Sequence, residues 1–416
     1  MVEKKEKVAV GISGGVDSAV AAALLKEQGH DVIGVHLYCW DKGPYCTANK
    51  DRASALRVAK HLNIPFVVWD LRKEYKKKVI NYFFEEYRKG RTPNPDVMCN
   101  REIKFGIFME KTLKDLPAGK AGLKVDKVAT GHYARVARTP INADKDADKR
   151  GYHYRLLRGI DETKDQSYFL WILTPKQLEY ILFPIGHMTK REVREKAREL
   201  KLPCAERPDS QGICFIGPVD VSKFLRENLP IKKGPVVNTK GEVIGEHDGV
   251  WFYTEGQRRG FSVKGGQGYP LYVIKKDLKT NTLVVGRGKE AEVKEFEVGE
   301  VNWISAANSP TRRVGDFKPD GFFLGGDKVG VRIRHLGEIM PAILESVDSK
   351  PLATSPRTEL RSGTGVSHKP IVVTLATPTR GVAPGQSTVF YQGEEVLGGG
   401  VIKETAIDIN PTGLLK

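Results

Sequence analysis

The chain has 416 residues, 40% hydrophobic and 28% charged, the balance of a water-soluble protein too long for one core, so two or three domains are expected. Its formal charge of +16 favours a polyanionic partner and gives mild support to nucleic acid. No apolar run is long enough to span a bilayer and the first residues carry no apolar signal core, so the expectation is a cytoplasmic protein. The five cysteines (Cys39, Cys46, Cys99, Cys204, Cys214) are an odd number without a Cys-x-x-Cys, which indicates neither a disulfide framework nor a zinc knuckle.

Residues 8–12 read as a buried strand and 19–26, rich in Ala and Leu, as the helix that follows it. Between them Gly11, Ile12, Ser13, Gly14, Gly15, Val16, Asp17 and Ser18 form a turn suited to an anion. Glycines let a phosphate approach backbone N–H groups, hydroxyls add donors, and the helix directs its positive end at the same point. The lysine of a Gly-x-x-x-x-Gly-Lys-Ser/Thr loop is missing and Asp17 stands there instead, to hold a magnesium ion or a positioned group of a nucleotide. Ser-Gly-Gly-x-Asp-Ser resembles the PP-loop of ATP pyrophosphatases, which implies cleavage of ATP to AMP and pyrophosphate to activate a carbonyl.

Strands are predicted at 31–38, 64–69 and 125–130, with helices at 50–62, 73–89 and 100–113 between them, the alternation of a doubly wound parallel sheet. Ligands of such sheets bind beyond the carboxyl ends of the strands, which aligns the loop with residues 37–40 and 131–133. Residues 140–150 read as a polar hairpin tip, 152–158 as a strand, and 175–182 and 189–200 as helices. Beyond about residue 216 glycine becomes frequent and short strands are predicted, among them 249–253, 271–274, 282–285 and 329–334. The expected division is a catalytic α/β domain over 1–216, a small central β-rich domain over 217–289 and a β-barrel over 290–416, with 349–370 a long exposed loop.

In Arg91-Thr92-Pro93-Asn94-Pro95-Asp96-Val97-Met98-Cys99-Asn100, two prolines imply a rigid extended surface loop. Asn100 would begin the next helix, leaving Cys99 as a thiolate beside its N-terminus and Asp96 as a nearby acid or base. Cys214 lies where a polar loop, 207–212, turns apolar, and suits core packing as well as chemistry. Lys164-Asp165-Gln166 is either a helix cap or a contact surface, and His132 a structural histidine or a substrate contact. Cys39, Cys46 and Cys204 read as structural.

Residues 11–18, Pro-Asn-Pro-Asp-x-x-Cys-Asn, Gly-His-Tyr-Ala-Arg, Lys-Asp-Gln-Ser-Tyr-Phe-Leu, Asp-Ser-x-Gly-x-Cys-Phe-Ile, Gly-Gln-Arg-Arg-Gly, and Pro-Gly-Gln before Leu-Gly-Gly-Gly occur in that order. Together they resemble the tRNA-specific 2-thiouridylase family. The resemblance implies ATP-dependent adenylation of the C2 carbonyl oxygen of a wobble uridine, with magnesium, and sulfur delivery from a cysteine persulfide charged by a donor protein. It implies that Cys99 is the nucleophile, Cys214 the persulfide carrier and Asp96 the acid–base group, with Asn94 and Pro95 beside the target base. ATP would contact residues 11–18, Leu37 and Gly131; tRNA would contact His132, Lys164, Asp165, Gln166, Arg332, Ile333 and Gln386. Ile333 departs from the aromatic residue expected there. The activation also makes chemical sense without the family, because a urea-like carbonyl is a poor electrophile until its oxygen becomes a leaving group. Two other readings stand beside it: a PP-loop amide-forming ligase, which needs no cysteine, and a basic RNA-binding β protein.

Overall fold

A computed structural model describes residues 5–43, 46–113, 123–140, 152–209, 212–217, 220–264, 269–304, 328–346 and 370–405. The expected hairpin tip after Pro140 and the expected loop over 349–369 lie outside the described residues.

The first sheet contains β1 (Lys7–Gly11), β2 (Asp31–Tyr38), β3 (Phe66–Asp70) and β4 (Lys127–Ala129), all parallel. Its order, β3-β2-β1-β4, puts β1 at the point where the winding reverses, so the loop after β1 opens into the crevice there. Val8 and Val10 pack under α1 (Val16–Glu27) and α2 (Ala48–His61), while Ala9 faces the opposite core. Cover on both faces is why β1 reads as a continuous apolar run.

That opposite core is formed largely by two long helical runs. One, α3, covers 72–88 as Arg72–Tyr75, a π segment Lys76–Ile80, and Asn81–Arg88. The other, α4, covers 95–112 as Pro95–Cys99, a π segment Asn100–Ile107, and Phe108–Thr112. This corrects the expectation of a surface loop ending at Asn100: Asn94 caps the helix by accepting from Val97 N at 3.2 Å, and Pro95 occupies its first turn. A proline there costs no helical hydrogen bond, so the prolines start the helix instead of holding an extended chain.

The hairpin β5 (Ala134–Pro140) and β6 (Tyr152–Arg158) leaves this sheet, and β7 (Ile181–Leu182) returns to it beside β4. Residues 175–182 were expected to be one helix. Only α5 (Pro175–Leu178) is helical, because Tyr180 and Leu182 carbonyls accept from Val128 and Thr130 and draw the chain into the sheet. The helix α6 (Lys190–Glu199) begins at a capping box of Thr189 and Glu192.

After α7 (Val221–Asn228), a central sheet has the order β10-β9-β8-β12-β11, from β8 (Gly234–Val237), β9 (Val243–His247), β10 (Ser262–Val263), β11 (Tyr272–Asp277) and β12 (Thr282–Gly286). The strand expected over 249–253 is instead a 3-10 turn, Val250–Phe252, entered through Gly249 at φ +144°.

The last unit is a closed barrel of β13 (Glu292–Trp303), β14 (Lys328–Arg332), β15 (Met340–Ser346), β16 (Ile371–Arg380), β17 (Ser387–Gln392) and β18 (Glu395–Thr405). Closure comes from β13 pairing with both β16 and β18, and β6 pairs with the start of β18.

Two junctions bind barrel and α/β domain together. Gln386 Nε2 donates to the Thr92 and Pro93 carbonyls at 3.0 and 3.2 Å, and the Pro384 carbonyl accepts from Thr92 N at 2.8 Å. At the second, the fully buried Asp165 accepts from Arg332 Nη1 at 2.8 Å, Arg158 Nε at 3.4 Å, and the amides of Gly159 and Ser167 at 3.1 Å. Asp165, Arg332 and Ile333, expected at the tRNA, are all buried here: the first two form an ion pair and Ile333 lies in the barrel core. Removing one partner of such a pair strands the other charge. Arg332→Met is expected to destabilise the protein by about 3 kcal/mol, measured as a lower denaturation midpoint; an unchanged midpoint would show that the pair contributes no net stability.

Candidate active site

The loop after β1 is a cradle braced from several sides. Gly14 has φ +92°, and a Cβ there would collide with the Asp51 carbonyl. Ser13 and Ser18 hydroxyls lie 3.1 Å apart, the Ser18 hydroxyl donates to Gly15 O at 3.2 Å, and the Gly14 carbonyl accepts from Ser54 Oγ and Arg207 Nη1 at 2.8 and 3.1 Å. Gly131, after β4, packs so close that a Cβ would sit 2.6 Å from Ser18 N. Ile12 and Val16 turn their side chains into the core, so they offer the cradle only backbone.

The cation that the loop sequence lacks arrives from α6. Lys190 Nζ lies 2.7 Å from Asp17 Oδ1, which also accepts from the Tyr133 hydroxyl at 2.8 Å. Lys190 further contacts Asp209 at 2.8 Å, and Asp209 pairs with Lys164 and Arg194, each at 2.8 Å. Burial opposes ionisation of Asp209, yet Lys164 and Lys190 hold its pKa down at about 2. Lys164 is thus tied into this network while its side chain stays partly exposed.

From the cradle a cleft of about 500 Å³ runs past Leu37, Gly131 and Gln166 to Asp96, Lys104 and Cys214. Gln166 lines it while accepting from Tyr133 N at 3.0 Å. At the far end Cys99 Sγ donates to Cys214 Sγ at 3.6 Å, across 115 positions of sequence. Both are free thiols.

Cys99 is fully buried on α4, which corrects the reading of an exposed thiolate at a helix N-terminus. Burial pushes its thiol well up, and the negative charge of Cys214 adds to the effect. Cys214 goes the other way: the hydrogen bond from Cys99 lowers its pKa against the cost of burial, and Lys104 lowers it further. Within the pair Cys214 is therefore the more readily ionised sulfur, and Cys99 the thiol that donates to it.

Cys214 is already turned inward on a clamped segment. Its N–H donates to Asp96 Oδ1 at 2.9 Å, its carbonyl accepts from the buried Tyr75 hydroxyl at 2.5 Å, and the next residue, Phe215, has φ +66°. Burial raises the Asp96 pKa, offset in part by that N–H and by Lys104, and a raised carboxyl suits acid–base work.

Lys104 was missed in the sequence, as was Lys190. Burial opposes its charge, but Cys214, Cys99 and Asp96 together more than restore it. Lys104 Nζ also lies 3.4 Å from His132 Nε2, while His132 Nδ1 lies 2.7 Å from Thr130 Oγ1. Burial and the Lys104 charge keep His132 neutral. Its Nε2 faces a donor and accepts, so its proton sits on Nδ1 and is given to Thr130. Asp96, Asn100 and Lys104, spaced by four along α4, all line the cleft, a pattern that splitting the helix at Asn100 had hidden. Cys39 lines the cleft too, its thiol raised by burial and by the Cys214 charge, whereas Cys204 packs in the core beneath α1 and α6.

Family models match three stretches: a tRNA methyl transferase HUP domain over residues 6–218, a tRNA methyl transferase PRC-barrel domain over 222–287 and an aminomethyltransferase beta-barrel domain over 363–402. A tRNA-specific 2-thiouridylase of Geobacillus kaustophilus is 42% identical over 96% of this chain and 95% of its own. A tRNA-specific 2-thiouridylase of Bacillus subtilis is 39% identical over 97% of this chain and 96% of its own. The chain belongs to the tRNA-specific 2-thiouridylase family. In this member of the 2-thiouridylases, the loop after β1 lies within the stretch matched by the HUP domain, Cys214 lines the other end of its cleft, and the buried Cys99 sulfur lies 3.6 Å behind it.

The electrostatics give a direct test. Lys104→Met removes the cation facing Cys214, so the Cys214 titration moves to higher pH and less thiolate is present at neutrality. Alkylation of Cys214 at pH 7, followed by peptide mass spectrometry across a pH series, is expected to slow about tenfold. Lys104→Arg should keep the native profile, and an unshifted Met variant would assign Cys214's activation to Cys99 alone.

Proposed function

We propose that the protein thiolates C2 of the wobble uridine of tRNA, spending ATP to activate the C2 oxygen and delivering sulfur from a persulfide on Cys214. The observation that carries this reading is a cleft that joins the loop after β1 to Cys214, with the Cys99 sulfur 3.6 Å from that of Cys214. A methyl transfer would need neither.

ATP is a substrate here, and the cradle fits its phosphates: two serine hydroxyls, glycines that leave the backbone open, the start of α1, and Lys190 as the adjoining cation. Magnesium enters with the phosphates, with Asp17 as a nearby carboxylate; among the described residues no cluster of three His, Cys, Asp or Glu holds a metal by itself. The uridine C2 oxygen attacks the α-phosphorus and pyrophosphate leaves.

Sulfur transfer then balances as two displacements. A donor protein charges Cys214, whose thiolate character suits it to accept sulfur. The terminal persulfide sulfur bonds to C2 as AMP departs with the oxygen. The Cys99 sulfur next attacks Cys214 Sγ, and the electron pair of the broken S–S bond passes to the sulfur on C2. The products are 2-thiouridine and a Cys99–Cys214 disulfide, which an external thiol reductant returns to two thiols. Asp96, on the amide of Cys214, is the group placed to move protons in these steps. Asn94 and Pro95 begin α4 at the same end of the cleft, beside the base, and Gln386 braces them through Thr92 and Pro93.

For the RNA, α3 exposes Lys73, Lys76 and Lys77, a cationic face suited to phosphates. No described helix is long and apolar enough to cross a membrane.

Nucleoside mass spectrometry after incubation of tRNA with the protein, ATP, magnesium and a sulfur donor is the decisive assay, with 2-thiouridine as the expected product. Cys214→Ser should lose persulfide labelling and thiolation but still adenylate tRNA. Cys99→Ser should accept persulfide sulfur yet not complete thiolation. Persulfide on Cys99 with Cys214 dispensable would reverse the two roles, and full activity in both variants would refute sulfur transfer by this pair.

A further inference from the structure

Asn100 lies on α4 between Cys99 and the Lys104 turn, is only 2% exposed, and lines the cleft. Its Nδ2 donates to the Phe169 carbonyl at 3.2 Å. Its Oδ1, equally buried, has no hydrogen-bond partner among the described residues. A buried acceptor left unpaired is costly, and such atoms in a binding cleft await a ligand's donor. The same wall carries a second unpaired atom, Nδ1 of His335, whose ring lies against Phe169 with centroids 4.4 Å apart. An aromatic pair beside an unpaired amide oxygen is the chemistry of a base-binding wall.

We propose that Asn100 is a specificity-determining residue whose Oδ1 accepts the N3–H of the target uracil. The assignment rests on the thiolation reading, which brings C2 of the base to Asp96 and Cys214, one helical turn and one loop from Asn100. Uracil joined to ribose through N1 has a single ring donor, N3–H, and N3 is bonded to C2. An acceptor next to the reacting carbon therefore has one partner available. The Phe169 carbonyl prevents the amide from turning round, since a flip would set Oδ1 against that carbonyl oxygen. Cytosine, with a lone pair at N3, would meet Oδ1 lone pair to lone pair, so the fixed amide excludes it from the wall.

The test compares full-length native protein and Asn100→Ala on two tRNA transcripts, one with uridine and one with N3-methyluridine at the wobble position. Native protein is expected to prefer uridine by about a hundredfold or more in kcat/KM. In Asn100→Ala the uridine value should fall about tenfold and the preference should shrink to about threefold. A ratio of two substrates on one preparation does not depend on how much of it is folded. An undiminished preference in Asn100→Ala would overturn the assignment and leave Oδ1 to a water molecule. Native protein that thiolates neither transcript would instead overturn the thiolation reading, and this assignment with it.

Discussion

The site depends on one ammonium group set among two sulfurs and a carboxyl. Burial works against every charge at this end of the cleft, raising Cys99 and Asp96 and lowering His132. Lys104 keeps its proton against burial chiefly through Cys214, and in return lowers the Cys214 pKa. Cys99, deprived of its own charge, becomes a donor to its partner. Two identical side chains thus acquire opposite pKa shifts from their surroundings.

Rigidity around this set comes from distant parts of the chain. The Cys214 amide and carbonyl are held by Asp96 from α4 and Tyr75 from α3. The start of α4 is held in turn by Asn94 from within and by Pro384 and Gln386 from the barrel. Asp165 ties the segment before Ser167 to Arg332 of β14 by a second, independent junction. A barrel gripped at both places shares its position with the start of α4, so barrel and helix belong to one frame.

At the nucleotide end the same principle replaces a familiar lysine. Asp17 and Lys190 meet over the cradle because α6 crosses α1, and Asp209 recruits Lys190, Lys164 and Arg194 into one cluster. Each acidic group there faces at least one cation, which leaves the surplus positive charge of Lys164, Lys190 and Arg194 near the loop after β1.

Local sequence determined a good deal of this protein. The apolar run of β1, the glycines and serines after it, and the strand–helix alternation specified a parallel sheet with an anion cradle at its carboxyl edge, because those features act over a few residues. The resemblance of the cysteine-bearing segments to the 2-thiouridylase family marked Cys99, Cys214 and Asp96 as candidates. Tertiary structure alone decided the rest. Whether Pro93 and Pro95 stiffen a loop or open a helix turned on the Asn94 cap and the barrel brace, and 175–182 became part helix and part strand because β4 offered a free edge. Asp165, expected as a cap or a contact, and Arg332, expected at the tRNA, are joined by burial across 167 positions, and Lys104 and Lys190 matter only through groups far away in the chain. Burial and long-range charge pairing set pKa and access, and neither is a property of any short stretch of sequence.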